Sequence, residues 1–174
     1  FGLVVSLPAN PVVDGLSQTR DSDIVVAVRG LGAQDPNSGW IAETYALASL
    51  VTTAGVRNLS GVNLYPNIAA WELLDPSHQY EHAWNRYAQA VWGFDVGRSA
   101  PFVRLVQEDM IEVRVDPCDP SLDAFDVRHI VTPRRIDVRC LRSPVEVRGP
   151  EGVTTYIYER VPAGVTSTEG WTVR

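Results

Sequence analysis

The chain reads as a small α/β domain, three-layer-like, with a parallel βαβ core and antiparallel strands added in the C-terminal third. Three observations predict it. Residues 39–42 (GWIA), 44–53 (TYALASLVTT) and 56–62 (VRNLSGV) run strand, helix, strand within about 25 residues, a compact unit that favours a parallel sheet. From residue 101 onward, short alternating runs separated by Pro and Gly turns replace the helical patterns. At 174 residues, 45% hydrophobic and 21% charged, the chain has the composition of one soluble domain with a real core.

Residues 1–20 include NPVVDGLSQTR, rich in turn formers, and read as an extended lead-in. The opening on Phe1 instead of Met reads as an excised piece. The first eleven residues lack the basic start and cleavage pattern of a signal peptide, and no run approaches a membrane span in length. Asp21-Ser22-Asp23 offers cap oxygens for a helix over 22–31, ended by Gly30 and Gly32. That glycine pair follows a helix and lacks the third glycine of a dinucleotide loop. Gly55 caps the helix over 44–53. Residues 68–74 form a short helix stopped at Asp75-Pro76. Asp75 then caps a helix over 77–92, with Pro76 at its first position. Tyr80, Ala83, Trp84, Tyr87, Ala88 and Val91 recur there at i, i+3, i+4, i+7, i+8 and i+11.

The last third is mostly β. Residues 101–109 and 110–116 read as neighbouring strands, with Val113 and Val115 on one face and Glu112 and Arg114 on the other. Asp116 to Pro120 turns into a short helix over 121–126. Strands follow at RHIVT and IDVRCL, and VEVRG and TTYIYERV flank a Gly-Pro-Glu-Gly turn. Residues 161–174 read as a loose tail.

The functional reading centres on residues 63–86, NLYPNIAAWELLDPSHQYEHAWNR. The carboxyl end of the predicted parallel strand, where ligands of such sheets sit, leads straight into it. Asn63, Tyr65, Trp71, Asp75, Tyr80, Glu81, Trp84, Asn85 and Arg86 make an aromatic and polar set. Rings stacked on sugars, with Asn, Asp and Arg giving directional hydrogen bonds, would form a carbohydrate site. The plain alternative is that Trp71, Tyr80 and Trp84 pack two helices together.

His78-x-x-Glu81-His82 matches the inverted zinc-protease pattern HxxEH, in which two histidines chelate the metal and the glutamate is the base. On the predicted helix His78 and His82 fall opposite the buried face and towards solvent, which argues against it. Asp116, Asp119, Asp123 and Asp126 are close enough in sequence for a hard cation, yet lack the order and glycine of an EF-hand loop. His129 falls in a strand and reads as structural. No GxSxG elbow, P-loop or HExxH is present, and nothing points to a cofactor. Net charge −6 disfavours a nucleic-acid partner. All basic residues are arginine, which reads as the codon habit of a high-GC genome. Cys118 and Cys140 are open to two readings, buried free thiols or one disulfide; no CxxC or histidine pair favours zinc.

The order NPVVDGL, GWIAE, TTAGVRNLSGVNLYPN, WELLDP, YEHAWNRY, VDPC and HIVTP resembles the soluble C-terminal region of actinobacterial polytopic membrane proteins. Those proteins are similar to glycosyltransferases that use polyprenyl-linked sugars. The resemblance covers nearly the whole chain, and WELLDP…YE..WNRY and the DPC turn are its most specific parts. It implies a single soluble domain over 1–174 on the extracytoplasmic face, partnered by the membrane-embedded portion of its own polypeptide. It also implies a Cys118–Cys140 disulfide. Catalytic carboxylates would then lie in membrane-proximal loops outside this stretch. The expected function is therefore a non-catalytic accessory domain that contacts a glycan or lipid-linked sugar. The alternatives are a metal-dependent hydrolase using His78, Glu81 and His82, and a structural or protein-interaction domain.

Overall fold

In a computed structural model, residues 17–63, 65–86, 88–149 and 152–162 are described. The elements are α1 (Ser17–Arg20), α2 (Asp23–Gly32), β1 (Gly39–Ala42), α3 (Tyr45–Ala54), β2 (Arg57–Asn58) and β3 (Gly61–Asn63). They continue with α4 (Ile68–Leu74), α5 (Glu81–Trp84), β4 (Ala88–Phe94), β5 (Phe102–Gln107) and β6 (Met110–Val115). The chain then forms α6 (Ser121–Ala124), β7 (Val127–Thr132), β8 (Val145–Arg148) and β9 (Thr154–Glu159).

The first sheet has the order β2-β1-β7-β9-β8 and the second β3-β4-β6-β5. The predicted βαβ unit is β1–α3–β2, and β1 pairs parallel with both β2 and β7. Antiparallel β9 and β8 complete the first sheet. The fold is α/β, with the parallel unit early and antiparallel strands late. Its second sheet is also mixed, β4 running parallel to β6.

β1 and β7, at the middle of the first sheet, are buried on both faces, as their apolar runs require. Trp40, Ala42, Val131 and Ile157 point towards α2 and α3, forming a core with Val25, Val28, Leu47 and Val51. Ile41, Ile130 and Tyr158 alternate to the other face and meet β4 and β6 of the second sheet through Ala90, Trp92, Ile111 and Val113. The three layers are thus helices, sheet, sheet. Thr44 caps α3 by accepting from the Leu47 amide at 3.2 Å, and Gly55 closes it at φ 81°. Gly39 has a different reason: a Cβ there would lie 2.9 Å from the Phe125 carbonyl, so only glycine lets β1 start against β7.

Four expectations are corrected. Residues 56–62 split into β2 and β3, which join different sheets. The helix over 77–92 reduces to α5, and residues 88–94 become β4. AQAVWGF carries two periods at once: Ala88, Ala90, Trp92 and Phe94 are buried alternately, and β6 supplies a ladder from Gln89↔Met110 to Phe94↔Val115. The long-range ladder wins over the helical spacing. IDVRCL is an irregular segment, tied to β9 by a lone Leu141↔Arg160 bridge. Of the lead-in, Ser17–Arg20 is a helical turn; residues 1–16, and 163–174 of the tail, lie outside the described residues.

The C-terminal half is gathered by Arg160. Its fully buried guanidinium donates from Nε to the Pro117 carbonyl (2.8 Å) and from Nη2 to the Asp119 carbonyl (2.8 Å). Nη1 reaches the Val127 carbonyl (3.4 Å) and pairs with the Asp123 carboxylate. Next to it, Cys118 and Cys140 are disulfide-bonded, their Cα atoms 5.5 Å apart. Arg160→Met removes the charge and leaves three buried carbonyls without this donor. It should cost about 3–5 kcal/mol, since breaking a buried pair leaves uncompensated polar groups. Urea denaturation measures it, and a loss under about 1 kcal/mol would show that Arg160 does not gather this half.

Candidate functional site

The residues singled out around 63–86 form a knot tied by one carboxylate. Helix α4 ends at Leu74, and Pro76 cannot donate, so the chain turns with the Asp75 amide on the Trp71 carbonyl (2.7 Å). Asp75 Oδ1 accepts from the Gln79 amide (3.0 Å) and the Ser77 hydroxyl (3.2 Å). Its Oδ2 accepts from the Tyr80 amide (2.6 Å) and Trp84 Nε1 (3.0 Å). Four bonds saturate a carboxylate. Burial pushes this carboxyl up, but the bonds outweigh burial, Trp84 foremost, and hold its pKa below the ordinary value.

The rings pack inwards. Trp84 is 1% exposed and Trp71 7%, stacked with centroids 6.0 Å apart. A cavity of 80 Å³ beside Trp71 is far smaller than ligand pockets, which span about 300–1,000 Å³. Trp71, Asp75 and Trp84 are thus engaged with one another in packing, and rings so buried present no face on which a glycan can stack. Tyr80 stands edge-on to Phe102 at 5.3 Å. Glu81, Asn85 and Arg86 lie together at the surface, with Asn85 Nδ2 on Glu81 (3.2 Å) and Arg86 Nη2 on the His82 carbonyl (2.6 Å). Tyr65 stands apart at 85% exposure. Asn63 pairs through its backbone with Ala88; its side chain lies outside the described residues.

His78 precedes α5 in a left-handed turn (φ 56°), with Nδ1 3.2 Å from Glu81, the two side chains 47% and 48% exposed. They occupy an open corner, not a walled cleft. Among the described residues, no three His, Cys, Asp or Glu converge as metal ligands. The four aspartates of the 116–126 turn are each engaged elsewhere: Asp116 by the Cys118 and Gly97 amides, Asp119 by Ser121, Asp123 by Arg160, Asp126 by Arg128.

The carboxyl ends of β1 and β7 are closed. Glu43 accepts from the Thr132 hydroxyl and from Arg134 (2.9 Å), whose Nη2 reaches the Phe94 carbonyl. The large opening lies at the other end of the sheet. A cleft of about 810 Å³ separates the end of α2, through Leu31, Gln34 and Asp35, from β7, β9 and the segment 142–145. His129 is among its lining residues. It pairs across strands with Trp40 and Glu159, and its ring lies on the Trp40 indole at 4.0 Å and 11°. It is 7% exposed, and burial pushes its pKa down, against Glu159 and Asp35, which raise it. Ser38 Oγ lies 3.4 Å from Nδ1, but it is sealed in and donates to the Asp35 carbonyl, so it is no nucleophile.

This cleft escaped the sequence reading. One signal was present: His129 is a polar side chain in an apolar strand buried on both faces. Asp35, Arg142 and Glu159 come from distant segments without a shared spacing.

Residues 18–164 match the family described as a domain of unknown function, DUF7654. The chain belongs to this family. No curated protein and no solved structure matches it.

Two outcomes follow from the geometry. Asp75→Ala strands the Trp84 N–H and the amides of Gln79 and Tyr80, and should cost about 2–4 kcal/mol in urea denaturation. His129 titrates near 6.5 when unfolded and lower when folded, so the unfolded chain takes up the proton first. Its contribution is complete above about pH 6.5 and is lost as pH falls through the folded value. Denaturation between pH 7.5 and 5.5 should show that slope, and His129→Gln should flatten it.

Proposed function

We propose that the chain is a non-catalytic accessory domain on the extracytoplasmic face of the cell membrane. It belongs to a larger multi-spanning protein similar to polyprenyl-sugar-dependent glycosyltransferases, and contacts a glycan or lipid-linked sugar. The observation that carries the reading is the Cys118–Cys140 bond, which engages both cysteines. Such bonds persist in oxidising compartments and are rare in reducing ones. No helix of the described residues is long and apolar enough to cross a membrane, so anchoring on this reading belongs to other parts of the polypeptide.

The hydrolase alternative draws less support. A catalytic base and its metal work in a water-excluding site, whereas the His78–Glu81 pair is half exposed on an open corner. The burial of Trp71 and Trp84 favours a structural role for the aromatic block itself. On this reading the block is scaffold, and ligand contact falls to another surface.

The test uses the parent protein in its own host. Thiol titration of the denatured, unreduced chain should find no free thiol at Cys118 or Cys140, and external protease on intact cells should digest the domain. Two free thiols, or protection until the cells are lysed, would overturn the compartment. Cys118→Ser should lower stability by about 3 kcal/mol, as expected for a bond spanning 22 residues.

A further inference from the structure

We propose that the cleft beside His129 binds a neutral sugar residue of a glycan chain. This rests on the reading of the domain as a glycan-contacting module and moves the contact away from the aromatic block. The cleft, about 810 Å³, has the size of ordinary ligand pockets. Leu31 and Val145 line it with apolar surface, which suits the C–H face of a pyranose ring.

The polar lining matches hydroxyls better than it matches charge. Arg128 and Arg142 line the cleft with Asp35 and Glu159, two cations with two anions, and Arg128 is itself paired with Asp126, so the lining offers no net positive field to an anion. Arg142 Nη1 donates to Glu159 Oε2 at 3.0 Å, placing guanidinium donors directly beside carboxylate acceptors. Adjacent donor and acceptor groups are what a vicinal diol needs, because each sugar hydroxyl both gives and takes a hydrogen bond. Gln34 and Ser143 add groups that do both.

The lining is also preset. His129 is held flat on Trp40, so its ring does not need to be ordered when a ligand arrives. Arg142 and Ser143 follow Cys140, which is bonded to Cys118. The Arg142 amide donates to the Glu159 carbonyl (3.0 Å), and the Val161 amide to the Cys140 carbonyl (2.8 Å). The disulfide thereby fixes the wall that carries the guanidinium, which links the domain's staple to its binding surface.

The experiment titrates the ¹⁵N-labelled 174-residue chain with trisaccharides of glucose, galactose, mannose or a pentose, and with trigalacturonate as the anionic counterpart. At least one neutral trisaccharide should shift the Trp40 indole N–H and the amides of His129, Arg142 and Ser143. Asp35→Asn and Arg142→Gln should each weaken that binding by about tenfold or more, with an unchanged thermal midpoint. Shifts confined to Tyr65, Asn85 and Arg86, unaffected by either variant, would overturn the cleft and leave the glycan reading standing. Tighter binding of trigalacturonate would overturn the neutral class. A folded chain that responds to none of these sugars would overturn the glycan reading and the cleft with it.

Discussion

The guanidinium of Arg160 sits at the end of β9 with no access to water, and the C-terminal half is arranged to satisfy it. Three main-chain carbonyls, from Pro117, Asp119 and Val127, and the Asp123 carboxylate close around it. A buried cation left short of partners is among the most costly defects a domain can carry. The turn from 116 to 127 therefore has little freedom: it must bring its carbonyls to β9. Because β7 starts at Val127, the same requirement sets where β7 meets β1 and β9. The disulfide adds a covalent tie from that turn to the irregular segment at Cys140. One ion and one bond thus hold a stretch with few regular hydrogen bonds of its own.

Asp75 plays the corresponding part for the middle of the chain. Its carboxylate replaces the helix that the spacing of residues 77–92 suggests, by closing a turn and anchoring the Trp84 indole. The two devices differ in consequence. The Asp75 knot buries its aromatics and leaves a polar surface at Glu81, Asn85 and Arg86. Beside the Arg160 assembly lies a cleft, bounded by the end of α2, by β7 and β9, and by the segment at 142–145. A domain with its densest aromatic stretch inside and an open cleft elsewhere is consistent in physical terms: rings that build a core are not available to a ligand.

Much of the architecture was legible in the sequence because local signals agreed with the global fold. The Gly55 stop and the alternating Val113 and Val115 each state their structure within a few residues. Residues 88–94 were not legible in this way. Helical and strand periods coexist there, and only pairing with β6, some twenty residues on, decides between them. The candidate site divides similarly. Residues 63–86 stood out by composition, yet composition cannot tell a saturated carboxylate from a free one. His129, Asp35 and Arg142 meet only after three separate segments have folded, so no spacing announces them.

The Arg160 cluster and the adjacent disulfide hold the segment at 140–143 against the sheet. Native-state hydrogen exchange at the Arg142 and Val161 amides, with the disulfide intact and reduced, tests it most directly. Both amides bond across that junction. Reduction should speed their exchange about a hundredfold, the equivalent of about 3 kcal/mol, while Ile130 and Val131 in β7 keep most of their protection. Equal exchange at Arg142 and Val161 in the two states would contradict the account, since the staple would then be holding nothing in place.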